Sequence, residues 1–158
     1  MTKIAINDTT LRDGMQAEGV SFSLPDKQAI AQCLDGLGVD YIEGGYAASN
    51  PKEMKFFHEV GKLGLECSKI TAFGSTRRAD CTVEEDVSLN SILATKAPAA
   101  TIVGKTWDMH VELVLGCSLD DNLVICAESI RYLKSKGLEA IFDAEHFFDG
   151  YKHNGEYA

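Results

Sequence analysis

Several kinds of chemistry are missing from this sequence, and their absence narrows the field. There is no C-x-x-C pair, no H-x-H or H-x-x-x-H pair, and no G-x-G-x-x-G or Walker pattern. Close histidine-pair metal sites and the usual phosphate-cradling loops are therefore set aside. A G-x-S-x-G elbow is missing too, which removes serine hydrolysis by that route. Positive charge is scarce: 15 Lys and Arg face 24 Asp and Glu, a net charge of −9. That balance argues against nucleic acid or an acidic membrane surface as a partner. An anionic substrate would have to be met by local positive groups or a metal. No apolar run approaches the roughly 20 residues of a membrane span, and the N-terminus lacks a signal-peptide pattern. The five cysteines are odd in number. Cys33 and Cys126 fall on apolar helix spacings, as small hydrophobes do, so a reducing cytoplasm fits best.

What is present is an alternation of short apolar runs with longer periodic ones. Ile4-Ala5-Ile6 reads as a buried strand. Ser23 with Asp26, and Pro25 in the first turn, opens a helix carrying Ile30, Cys33, Leu34 and Leu37, and Gly38 stops it. Val39–Glu43 is a second strand, ended by Gly44-Gly45. Asn50-Pro51 opens a second helix with Met54, Phe57, Val60 and Leu63 on one face. Lys69–Phe73 is a third strand, and Thr82 with Glu85 has the form of a capping box for a third helix. Thr101–Gly104 is a fourth strand, followed by a helical or irregular stretch from Trp107 to Leu115. Ser118 with Asp121 caps a long fourth helix with Leu123, Cys126, Ala127, Ile130 and Leu133 inward. Glu139–Asp143 is a fifth strand.

This is (βα)₄β with a tail, so an α/β fold with a parallel sheet is expected. An open doubly wound sheet would be complete at this length. A TIM (β/α)8 barrel needs about 250 residues and eight strands, of which this chain supplies the first five. The polar groups favour the partial barrel, because the strands all end in reactive residues on one side. These are Asp8, Arg12 and Asp13; Glu43; Ser75 and Arg77; Lys105, Asp108 and His110; and Asp143, Glu145 and His146. Open sheets also bind ligands beyond their strand ends, so periodicity alone leaves both architectures standing.

Among these, Arg12 and Asp13 are the sharpest pair. Asp13 suits a hard divalent cation, and Arg12 suits negative charge developing on a carbonyl oxygen; a local Arg–Asp ion pair is the plain alternative. Glu145 and His146 suit an acid/base pair, with rim polarity as the alternative. His58 and His153 have no constellation around them and read as surface residues.

The run Asp8-Thr9-Thr10-Leu11-Arg12-Asp13-Gly14-Met15-Gln16 resembles the D-T-T-L-R-D-G-x-Q signature of a family of metal-dependent acyltransferases and lyases built on a TIM barrel. It includes 2-isopropylmalate, homocitrate and citramalate synthases and hydroxymethylglutaryl-CoA lyase. Five further stretches, beginning at Ala17, Asp40, Ala72, Lys105 and Asp143, are similar to the citramalate synthase branch and cover nearly the whole chain. The resemblance implies a Claisen condensation of acetyl-CoA with a 2-oxo acid, pyruvate favoured, giving citramalate. It implies Asp13 as a ligand to a divalent metal ion (Mg, Mn or Zn) and Arg12 as the residue polarising the keto oxygen. Gln16, Glu43 and His110 would bind substrate, and Glu145 would serve as an acid/base. The family completes its metal site with an H-x-H pair on a later strand, which these 158 residues do not contain. The sequence therefore reads as the N-terminal portion of a synthase barrel, inactive alone and prone to self-association through its open barrel edge. A metal-dependent lyase or aldolase on the same barrel, and a non-catalytic module, are the competing expectations.

Overall fold

The computed structural model describes residues 4–158. Its strands are β1 (Asn7–Asp8), β2 (Tyr41–Tyr46), β3 (Lys69–Ser75), β4 (Ala99–Lys105) and β5 (Glu139–Glu145). They pair in chain order, and every pair is parallel. The helices are α1 (Leu24–Leu37), α2 (Pro51–Val60), α3 (Val87–Thr95), the short α4 (Asp108–His110), α5 (Leu119–Ser135) and α6 (Phe147–His153).

A side-chain chord settles the choice between open sheet and barrel. The Tyr41 hydroxyl on β2 donates to Glu139 on β5, and Lys69 Nζ reaches the other oxygen of the same carboxylate at 2.7 Å. In a flat sheet β2 and β5 would lie about 14 Å apart, three strand spacings. The sheet is therefore curled, and the five strands form half of a (β/α)8 barrel. Helices cover its outer face alone. Gly44 abuts Phe56 and Phe57 of α2, Gly74 abuts Ile92 of α3, and Gly104 abuts Cys126 of α5. Between sheet and helices lies the core, in which Ile42, Phe56, Ala72, Leu89, Ile102 and Leu133 are fully buried. Each large side chain there contributes about 1.5–3 kcal/mol of transfer free energy. The inner face is polar instead, carrying Tyr41, Lys69 and Glu139 at one end and hydrogen-bonded Thr71 and Thr101 between.

The helix caps at Ser23 and Ser118 form as reciprocal boxes with Asp26 and Asp121. Other local expectations are corrected. Ile4-Ala5-Ile6 is not a strand: β1 begins at Asn7, and Ile4 and Ile6 are exposed, because this edge has β2 as its one neighbour. Gly44-Gly45 does not end β2. The strand continues to Tyr46 with its register shifted between Glu43 and Gly45, so Gly44 is the extra residue of a β-bulge. Thr82 and Glu85 do bond to each other, but Asp86 caps α3 by accepting from the Leu89 amide at 2.9 Å. Cys33 and Leu123 are exposed, since the faces they occupy have no neighbouring element. Trp107–Leu115 is helical, as expected, with the single turn α4 followed by one π-helical turn, and the tail beyond β5 forms α6.

Candidate functional site

The loop after β1 is a compact turn built by its own residues. Asp8 Oδ1 accepts from the Thr10 amide at 2.9 Å, and the Thr9 carbonyl accepts from the amides of Arg12, Asp13 and Gly14. Leu11 is fully buried and anchors the turn. With Leu11 pinned, Arg12 is directed over the inner face of the sheet. Its Nε donates to Glu43 Oε2 at 2.6 Å, and its guanidinium carbon lies 3.9 Å from the centre of the Phe73 ring. Asn7 Nδ2 donates to the other oxygen of Glu43 at 3.3 Å. Arg12 also meets Asp13, at 3.2 Å, but Asp13 is 60% exposed whereas Glu43 is 1% exposed. The principal partner of Arg12 is therefore Glu43, and the neighbouring Asp13 is secondary.

The bulge in β2 adds a wall to this arrangement. A regular strand would put Glu43 and Tyr46 on opposite faces. One extra residue restores both to the inner face, where the Tyr46 ring meets Phe73 edge-on with centroids 5.7 Å apart. Tyr46, Phe73, Arg12 and Glu43 thus make one continuous polar-aromatic surface. Across the sheet, Asp143 on β5 stands in the same field. Burial pushes its carboxyl above the usual range, Arg12 draws it down, and Glu145 and Asp13 push it up. Glu145 pairs with Lys105, its register partner on β4.

A second cluster lies beyond β4 and β5. The His110 ring sits 4.8 Å from Trp107 and 4.8 Å from His146, while His146 Nδ1 lies 3.2 Å from Asp149 Oδ2. His110 Nδ1 and Trp107 Nε1 are buried without a hydrogen-bond partner. His146 adopts a left-handed backbone conformation, φ 53°, which turns the chain from β5 into α6. His153 is exposed as expected, yet it is not isolated, because Nδ1 lies 2.9 Å from both oxygens of Asp108. Gln16 is exposed on its loop, and no hydrogen bond among the described residues joins it to Arg12 or Glu43. Arg77 turns away from the inner face altogether. Its backbone amide donates to Ser129 Oγ and its guanidinium to Glu128, both on α5.

The structure thus brings Arg12, Asp13 and Glu43 together, places Lys105, Asp143 and Glu145 on the same inner face, and sets His110 in an aromatic cluster beyond the strand ends. Tyr46 and Phe73 escaped the reading of the sequence as site residues, and Lys105, named there among the strand-end polar groups, was given no role. The doubled glycine before Tyr46 was the available signal, since paired glycines inside a strand mark a bulge. The donor set does not make a metal centre by itself. No group of three His, Cys, Asp or Glu side chains stands in ligating geometry among the described residues, and Asp13 is one carboxylate already paired with Arg12. A divalent ion requires several such donors.

Comparison with known proteins identifies the family and the fold. A family model described as HMGL-like matches residues 3–153. The (R)-citramalate synthase of Sulfolobus acidocaldarius is 52% identical over 155 residues, covering 98% of this chain and 30% of the relative. That of Aquifex aeolicus is 53% identical over 156 residues, covering 99% of this chain and 30% of the relative. The chain thus spans about 30% of the length of the curated relatives it matches. Among solved structures, hydroxymethylglutaryl-CoA lyase from Pseudomonas aeruginosa aligns with a TM-score of 0.63 at 16% identity, over 89% of this chain and 45% of that one. The curled parallel sheet is common to both, and the match over residues 3–153 assigns the rest: the chain belongs to the HMGL-like family.

Proposed function

We propose that these residues are the N-terminal part of a synthase barrel that condenses acetyl-CoA with a 2-oxo acid, pyruvate favoured, to give citramalate. The observation that carries this reading is the Arg12 guanidinium, fixed by Glu43 at 2.6 Å and seated on Phe73. A fixed cation at the strand ends stabilises the alkoxide that forms when a carbon nucleophile adds to a keto group. In the condensation, a methyl proton leaves acetyl-CoA and the enolate carbon bonds to the keto carbon of the oxo acid. The keto oxygen becomes an alkoxide and takes up a proton. Water then cleaves the thioester, and CoA departs.

Glu145 is the acid/base residue in this scheme, set beside Lys105 on the inner face. Glu43 orients Arg12 and, with Gln16 and His110, lines the substrate site. The buried, unpartnered Nδ1 of His110 supports that assignment, because a buried polar atom without a partner is costly unless a ligand satisfies it. Asp13 would supply one ligand to a divalent metal ion (Mg, Mn or Zn), which would polarise the keto oxygen of the oxo acid. The small-molecule partners are acetyl-CoA and the oxo acid, the compartment is the cytoplasm, and the exposed edges favour a homodimer or larger assembly. The lyase alternative shares the family match and the fold, whereas the relatives near 50% identity carry the name of a synthase.

A coupled assay of CoA release tests the reading. The whole protein, given acetyl-CoA and a divalent metal, is expected to release CoA with pyruvate in preference to 2-oxoisovalerate or 2-oxoglutarate. The 158-residue chain alone is expected to release none. Failure of the whole protein with every oxo acid would sink the synthase assignment.

A further inference from the structure

Behind the bulge of β2, on the helix side of the sheet, a charged pair is buried where apolar packing would be cheaper. Lys27 of α1 and Glu53 of α2 meet at 2.8 Å, Nζ to Oε2, with side chains 1% and 8% exposed. The Lys27 ammonium also lies 4.9 Å from the centre of the Phe56 ring. Burial draws the lysine pKa down while Glu53 opposes it. Desolvating two charges costs several kcal/mol per ion, and an apolar pair of like volume is often at least as stable. Stability alone therefore gives no reason for this pair to be here.

Its position does. Gly45, at φ 148°, leaves no room for a side chain: a Cβ there would stand 1.8 Å from Glu53 Oε2 and 3.1 Å from Lys27 Nζ. The pair presses directly on the backbone at the bulge. On the other face of the same segment, Glu43 holds Arg12 and Tyr46 meets Phe73. A bulge re-aims the side chains flanking it, and its geometry is only as fixed as its surroundings.

We propose that Lys27 and Glu53 are positioning residues, an ionic brace that fixes the Gly44-Gly45 bulge so that Glu43 holds Arg12, and Tyr46 the Phe73 ring against it, in the working orientation. The brace touches no substrate and acts through the backbone of β2. Its kinetic consequence rests on the synthase reading, but its structural consequence does not.

The test replaces the brace with apolar residues of similar size, Lys27→Met together with Glu53→Leu. Thermal unfolding should hold or rise, since the desolvation cost disappears. Two further readouts follow the bulge. In the whole protein, kcat for CoA release should fall roughly ten- to a hundredfold while KM for acetyl-CoA stays put, the size of loss that a displacement of about 1 Å brings. In arginine-labelled protein, the Arg12 Nε–H resonance, assigned by its loss in Arg12→Lys, should broaden through exchange with water. A stable variant with unchanged kcat, or with an unchanged Arg12 signal, overturns the proposal. Should the apolar pair fail to fold, the uncharged polar pair Lys27→Gln with Glu53→Gln carries the same measurements. If the unmodified whole protein releases no CoA, the synthase reading has failed, and the arginine resonance decides the brace on its own.

Discussion

Glu43 is spent entirely on its neighbours: one carboxylate oxygen takes the Arg12 Nε–H at 2.6 Å, the other takes Asn7, and the side chain is 1% exposed. Such a group cannot be removed without leaving a nearly buried guanidinium with the exposed Asp13 as its remaining ionic partner. Glu43→Ala is expected to destabilise the fold by about 3–5 kcal/mol, the cost of breaking a buried pair from one side. Urea unfolding of this chain measures it. A loss below about 1 kcal/mol would place the pair with weak surface bridges instead.

Two carboxylates predict opposite responses to pH. Backbone amides of Glu66, Ser68 and Cys67 donate to Asp35 and hold its pKa below the ordinary 3.8. Its stabilising contribution is therefore present above that value and is lost as pH falls through the folded-state pKa. Burial raises the pKa of Asp143 above 3.8. Its contribution is present below 3.8 and is lost as pH rises through the raised value. Asp35→Asn should lower the urea midpoint near about pH 7, and Asp143→Asn should raise it there. Two decreases would contradict the assignment of Asp143, and two increases that of Asp35.

Helix α6 is fastened through one close approach. A Cβ at Gly150 would meet the Thr106 carbonyl oxygen at 2.6 Å and Trp107 Cα at 2.9 Å, both backbone atoms that cannot step aside. Gly150→Ala should lift α6 from the Thr106-Trp107 segment that follows β4 and separate His153 from Asp108. The effect should be local, with faster hydrogen exchange across residues 147–157 and unchanged protection in β3 and β4. Uniformly faster exchange would mean that α6 belongs to the global folding unit.

The five thiols are free and differ in setting. Burial pushes Cys126 up to about 11, which leaves roughly one thiolate in a thousand at pH 8. A colorimetric thiol reagent should modify the exposed Cys33 and Cys67 in a fast phase and leave Cys126 to the last. Early modification of Cys126 would show that the face of α5 beside Phe142 opens in solution.

Much of this fold could be read from the sequence because its signals are local. The boxes Ser23 with Asp26 and Ser118 with Asp121 announce helix starts through bonds made within four residues, and both form. Five apolar runs separated by helical periods told of a parallel sheet, which is what pairs. Ile4 and Ile6 misled because an apolar run signals burial only where something covers it, and β1 is an edge. In the site, the loop from Asp8 to Asp13 was legible as a compact motif. The bond from Arg12 to Glu43 crosses 31 positions and two strands, and the face on which Tyr46 emerges hangs on a one-residue slip in register. Neither is encoded in nearest neighbours. Both depend on how the sheet is assembled.

That assembly carries a consequence for how the chain comes to exist. Because the strand order is the chain order, each strand finds its partner in the segment made roughly 30 to 40 residues earlier, which keeps contacts short in sequence. No strand waits for a later one to be inserted between itself and its neighbour. A chain emerging from the ribosome can lay down the wall one stave at a time, with each helix sealing the outside before the next stave arrives. The chord from Tyr41 to Glu139 then closes last, and the curvature of the wall is set only when β5 has been made.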